Sequence, residues 1–152
     1  MRRLAPVLAV LALGVAVAGC GSDTKAANDY VDAVNKAQND FASTFDRLSS
    51  QITSKSTPQQ DQKTLDGFKQ AVDKVVVDLQ AVEPPSKVKP LHDELVNEIA
   101  TYGKEIDKAK LAFSDSDPQA IVKAQADLVS AVTRVQAQIN MTIADINKKL
   151  RE

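Results

Sequence analysis

His92 is the only histidine among 152 residues, so it is the first side chain to consider for chemistry. A Ser-His-Asp site would need its imidazole as general base, but no nucleophile-elbow sequence is present. A carboxylate di-iron centre needs Glu-x-x-His on two helices, and the residue three before His92 is Lys89. Zinc would require several histidine or cysteine ligands. We therefore expect no catalysis, no metal and no bound cofactor.

A haem iron held by His92 and Met141 is a second possibility, because His and Met form an axial pair in some haem proteins. Counting back from a turn near Asp115 places His92 about level with Ile139, close to Met141. Met141 lies off the apolar stripe of its segment, however, and no Cys-x-x-Cys-His sequence is present. We expect His92 to flank Leu91 half exposed, and Met141 to fill a gap at the edge of the core.

Three carboxylates, Asp93, Glu94 and Glu98, follow His92 within two helical turns. Together they could attract a cation. Charged residues at this spacing are more typical of a solvated helix face, which is the interpretation we adopt.

Cys20, the only cysteine, follows a basic pair at positions 2 and 3 and an apolar run at 4–18. A charged start, an apolar centre and small residues at the end are the parts of a secretory signal peptide. The sequence Val17-Ala18-Gly19-Cys20 resembles the lipobox of bacterial lipoproteins. The resemblance implies cleavage between Gly19 and Cys20, diacylglycerol on the Cys20 thiol, fatty acylation such as palmitate, and a location at the outer face of the cell membrane.

Two other interpretations compete with the lipobox. An uncleaved transmembrane anchor needs about 20 apolar residues, and residues 4–19 fall short. Ordinary cleavage after Ala18 would release a secreted soluble protein, but it would leave Cys20 as a free thiol in an oxidising compartment. The arginine pair also leaves open whether export is twin-arginine or general secretory, although the rest of the twin-arginine motif is missing.

The composition indicates one helical domain without an electrostatic affinity for nucleic acid. Removal of residues 1–19 leaves 133 residues, enough for a single core. The two arginines leave with the signal, so 17 basic side chains face 20 acidic ones, a net charge of −3. Such a surface favours neither nucleic acid nor anionic lipid. Aromatic residues make up 4% of the chain, and eleven glycines and prolines are too few for many turns between strands.

Four apolar stripes with gaps of three or four residues run through 30–52, 65–82, 88–113 and 121–150. This spacing keeps each stripe on one face of a helix. Prolines at 58, 84–85 and 118 separate the segments, and short connections require antiparallel neighbours. The prediction is an all-α, up-down-up-down antiparallel four-helix bundle with coiled-coil-like packing, spanning 28–152 after a signal peptide at 1–19 and a lipidated tether at 20–27.

Local signals predict how the helices begin. Thr57 and Gln60 form a capping box around Pro58 at the first helical position. Ser86 is expected to cap the third helix, with Pro90 in its first turn. Gly103 adjoins the third stripe, where we expect close helix approach.

Residues 82–95, with two prolines followed by a helix carrying Leu91, His92 and Leu95, resemble small helical lipoproteins of high-GC Gram-positive bacteria. That resemblance implies the same topology and no catalytic role.

We therefore expect a monomeric binding or structural module held at the membrane through Cys20, with an envelope protein or the cell wall as partner. The alternative is a carrier holding a small apolar ligand between its helices. Aromatic side chains dominate recognition surfaces, so partner or ligand contacts are predicted at Phe45, Phe68 and Phe113, in the membrane-distal half, and not at His92.

Overall fold

The computed structural model describes residues 22–51, 57–113 and 118–152. Within them lie four helices: α1 (Ser22–Ser49), α2 (Pro58–Gln80), α3 (Lys89–Phe113) and α4 (Pro118–Arg151). The expected all-α helical bundle is confirmed. The predicted signal peptide at 1–19, Cys20 and Gly21 lie outside the described residues. Among the described helices, none is both long and apolar enough to cross a bilayer.

Each helix runs antiparallel to the next. Between α2 and α3, Lys110 pairs with Asp66 at 2.5 Å while Lys69 approaches Asp107 at 3.8 Å, so one residue number falls as the other rises. Helix α3 packs against both α2 and α4, whereas α1 packs mainly against α2.

The same relation holds for the other two neighbouring pairs. Between α1 and α2, Asp40 interacts with Lys74 and Phe45 contacts Phe68. Between α3 and α4, the Lys87 amine just before α3 donates to the Leu150 carbonyl at 3.2 Å, and Thr142 bonds Glu98 further along.

The start of α2 confirms the predicted capping box. The Gln60 amide donates to the Thr57 hydroxyl at 3.3 Å, and the Thr57 amide donates to the Gln60 side-chain oxygen at 2.8 Å. Pro58 occupies the first helical position, where its missing N–H leaves no bond unmade.

Two predicted helix starts are wrong. Ser86 does not cap α3: it lies in a turn in which the Val88 amide bonds the Pro85 carbonyl, and the helix begins at Lys89. Helix α1 begins at Ser22, inside the predicted tether at 20–27, and Ala27 is already buried. The two errors have different causes: the turn closed by the Val88 amide delays the start of α3 beyond Ser86, whereas the polar residues of the predicted tether continue a helix whose Ala27 packs in the core.

The core divides into two clusters along the bundle. One surrounds the end formed by the start of α1 and the α2–α3 connection, and its most buried members are Val34, Leu79, Val88 and Ile146. The other lies toward the opposite end of the bundle and contains Phe45, Leu48, Leu65, Phe68, Val72 and Ile106. Phe41 and Ile99 pack against both clusters and make the core continuous.

Candidate functional site

Lipidation of Cys20 remains a prediction from the sequence, because Cys20 lies outside the described residues. Helix α1 begins at Ser22, two positions after Cys20. The bundle therefore starts with almost no spacer beyond the predicted lipid site.

The three predicted contact aromatics are not equivalent. The rings of Phe45 and Phe68 contact each other, with 4.9 Å between centroids and a 47° tilt. Both side chains are buried, so they form part of the core between α1 and α2. Phe113 is the last residue of α3, and its side chain is outside the described part of the structure. The prediction of ligand contacts at these residues stays untested.

An open groove runs between α1 and α2 beside the phenylalanine pair. It encloses about 510 Å³, and Ala37, Phe41, Ala71 and Val75 contribute apolar lining. The Phe41 ring is half-buried and packs on Phe45 at 6.0 Å, so the groove lies directly over the phenylalanine core. We call this feature the α1–α2 groove.

Charged side chains line the rim of the α1–α2 groove. On α1, the Lys36 amine donates to Asp40 at 2.8 Å, and this bond lowers the pKa of the Asp40 carboxyl. On α2, Lys74 pairs with Asp78 at 2.5 Å. Apolar lining between charged rims is suited to an amphipathic partner, because apolar and polar parts of one ligand can be satisfied together.

His92 is buried, which corrects the expectation that it is half exposed beside Leu91. Only 3% of its surface is accessible, and it is Leu91 that is partly exposed. The Nδ1 atom lies 3.2 Å from the Tyr30 hydroxyl, and the two rings meet edge-on with centroids 5.6 Å apart. The Leu79 carbonyl is a second hydrogen-bond partner of the imidazole. One side chain thus connects α1, α2 and α3.

Burial affects the ionisation of both rings. It raises the pKa of the Tyr30 hydroxyl to about 12, so this group stays protonated. Burial lowers the pKa of His92. Asp93 and the Leu79 carbonyl favour the charged imidazole, but their effect is smaller than that of burial. A buried imidazole without a carboxylate partner is most stable when neutral.

The sequence contained a signal for this pair that the apolar pattern concealed. Tyr30 is the first residue of the α1 stripe, and His92 is spaced four residues after Val88 and three before Leu95. All four residues are buried. Counting polar aromatic residues as possible core members would have placed His92 correctly.

A recess of about 530 Å³ adjoins His92 at the α2–α3 connection. Val82 and Pro84 contribute apolar lining, and Glu83, Lys89 and Asp93 contribute charge. The recess therefore borders His92 at the α2–α3 connection, while the His92 side chain itself stays buried.

Met141 lies apart from His92. Its side chain is 61% exposed on α4, so it does not fill an edge gap. The predicted level was also wrong: the contact of Thr142 with Glu98 places residue 92 nearer Ile146 than Ile139. The length of the 114–117 connection alone could not determine that register. His92 and Met141 therefore do not form an axial pair in this arrangement.

Glu98 differs from its neighbours Asp93 and Glu94, which are exposed as the solvated-face interpretation requires. Its Oε2 atom is buried without a hydrogen-bond partner in the described structure. Burial raises the pKa of the Glu98 carboxyl, although the Thr142 hydroxyl partly opposes this. Within the described ranges, no three His, Cys, Asp or Glu side chains are grouped closely enough to hold a metal ion.

Comparisons with protein-family models, with curated proteins and with solved structures give no match for this chain.

Proposed function

We propose that this protein is a lipoprotein, anchored through Cys20 at the outer face of the cell membrane, whose helical bundle binds an envelope partner and performs no catalysis. The observation that carries the proposal is the Val-Ala-Gly-Cys sequence at 17–20, placed two residues before the first helix of a packed domain. Two acyl chains on one cysteine give stable membrane attachment, whereas one chain gives only marginal attachment.

Anchoring at Cys20 orients the bundle. The start of α1, the α2–α3 connection and the end of α4 then lie beside the membrane. The α1–α2 groove spans 37–47 on α1. At 1.5 Å per residue from Ser22, it lies about 20 to 40 Å along the helix from the membrane end. A partner bound there would be clear of the lipid head groups.

The α1–α2 groove supports a polypeptide partner better than an enclosed apolar ligand. It is open to solvent along the helices, and its rim pairs charges of both signs. The interior stripes that a ligand carrier would need to open are occupied by close-packed side chains, including the phenylalanine pair. An envelope protein is therefore the favoured partner, and the cell wall and a carried apolar molecule are the alternatives.

Membrane fractionation tests the anchor. Wild-type protein should remain with the membrane after a high-salt wash, because hydrophobic insertion is not screened by salt. Cys20→Ala should appear in the medium or retain its signal, while the matched exposed variant Ser50→Ala should behave as wild type. Equal release of wild type and Cys20→Ala into the medium would support the secreted alternative and reject the anchor.

A second pair of variants tests the α1–α2 groove. Ser43 is exposed in this groove, and Ser130 is exposed on α4. Ser43→Arg should block binding of a partner cross-linked in the membrane, while Ser130→Arg should leave it intact. Loss of the partner in both variants, or in neither, would place binding elsewhere.

A further inference from the structure

We propose that acidification releases the amino-terminal half of α1 from the bundle, through protonation of His92 where it meets Tyr30 and the Leu79 carbonyl. Such regulation of the bundle does not depend on lipidation of Cys20.

The first step is the hydrogen-bond arrangement of the neutral state. The Leu79 carbonyl can only accept, so the imidazole must present an N–H to it. In the tautomer protonated at Nε2, the Tyr30 hydroxyl donates to Nδ1 across 3.2 Å. Both ring nitrogens are then satisfied, and α1 is joined to α2 and α3 by one buried group.

Protonation disrupts this arrangement. Nδ1 becomes a donor, so the Tyr30 oxygen must accept and its own proton must find another acceptor. Tyr30 is 1% exposed, so its hydroxyl is shielded from solvent water that could accept this proton. A buried charge or polar group without a partner is costly, and separation of α1 restores access to water.

The charged groups around His92 do not compensate for an imidazolium. On α3, Asp93 favours the charged ring and Lys89 opposes it, and both are exposed. From the α2–α3 connection, exposed Glu83 lines the same recess. Tyr30 is the titratable group contributed by α1, and it remains neutral.

Helix α4 adds no compensating charge at this level. It contributes the fully buried Ile146 to the surrounding cluster. Its charged residues in the same stretch, Asp145, Lys148 and Lys149, are exposed to solvent.

The segment that would open is the amino-terminal half of α1, which packs in the core cluster beside His92. Ala27, Tyr30, Val31 and Val34 bury the amino-terminal half of α1 in the cluster beside His92. Beyond them, the phenylalanine pair holds the other half of α1 to α2 independently of His92. Opening therefore stops short of the α1–α2 groove and changes the segment that leads to Cys20.

Hydrogen exchange of the full chain in a nonionic detergent tests the proposal. An open state with a free imidazole of pKa about 6.5 gains up to about tenfold in population between pH 7.5 and 5.5, if the closed state stays neutral. After correction for intrinsic rates, amides of 24–34 should exchange up to about tenfold more readily at pH 5.5. Amides of 128–142 on α4 that exchange through local openings, in which His92 stays buried, should not change.

Two further measurements complete the test. His92→Gln keeps a hydrogen-bonding side chain that cannot ionise. The pH dependence of corrected amide exchange at 24–34 should therefore disappear in this variant. The same pH dependence in His92→Gln and in wild type would overturn the proposal. If His92→Gln does not fold, NMR titration of the single imidazole in wild type decides. A His92 pKa at or above about 6.5 would overturn the inference, and a lower value supports it.

Discussion

Leu48 of α1 and Gly67 of α2 approach so closely that a methyl group on Gly67 would lie 2.8 Å from the Leu48 Cδ2 atom. Gly103 of α3 makes a similar but looser approach, with 3.3 Å from an added methyl group to Val72 Cγ1. These two glycines allow α2 to pack closely on both of its neighbours, and the expected role of Gly103 is confirmed.

Gly67→Ala should lower the free energy of unfolding by about 1 kcal/mol. Alanine gains about 1 kcal/mol over glycine in helix propensity, but overpacking at a buried contact costs about 1 to 3 kcal/mol. Gly103→Ala is the matched control. Val72 needs to move only slightly there, so Gly103→Ala should lower the free energy of unfolding less than Gly67→Ala does, or not at all. Urea unfolding measures both, and a Gly67→Ala variant at least as stable as Gly103→Ala would contradict the packing described.

Leu79→Ala should cost about 2 to 5 kcal/mol, because it removes a fully buried side chain and leaves a cavity. Val77→Ala, two residues away, should change stability little, since Val77 is 62% exposed. Thermal unfolding followed by circular dichroism gives the comparison. Equal losses for the two variants would mean that α2 presents a different face to the core.

Glu98→Gln should stabilise the protein at pH 7 by on the order of 1 kcal/mol, because it removes the charge from a partly buried carboxyl with an unpaired oxygen. Burial raises the pKa of Glu98 in the folded state. As pH rises through the ordinary glutamate pKa, the unfolded chain loses its proton first, so the carboxyl's contribution to stability falls.

The gain from Glu98→Gln should therefore shrink toward zero near pH 4. Glu83→Gln, at an exposed position, should show little gain at either pH. Denaturant unfolding of both variants and of wild type at pH 4 and pH 7 measures these gains in stability. A gain that grows at pH 4 would show that the carboxylate form is the one the fold favours.

The four helices could be predicted because their signals are local. Apolar spacing, the Thr57–Gln60 capping box and the prolines at 58 and 84–85 each act within a few residues. The register between α3 and α4 could not be predicted in this way, because side-chain packing across the two helices determines it. Counting along the chain puts residue 92 level with Ile139, whereas in the structure it lies closer to Ile146.

The buried histidine shows the same limit at one residue. Leu91 and His92 lie about 100° apart on α3, and hydrophobicity alone favours Leu91 as the inward residue. The Tyr30 hydroxyl and the Leu79 carbonyl, distant in sequence, make burial of the imidazole favourable instead. The spacing of His92 from Val88 and Leu95 permits the buried position, but the partners that make it favourable lie far away along the chain.

The intact mass of the membrane-associated protein, measured after expression with its own signal, tests the central claim of lipid anchoring most directly. Lipid anchoring predicts a chain that begins at Cys20 and carries the added mass of diacylglycerol, with a further fatty acid where the amine is acylated. An unlipidated chain that begins at Gly19 with a free Cys20 thiol, or one that retains residues 1–19, would contradict it.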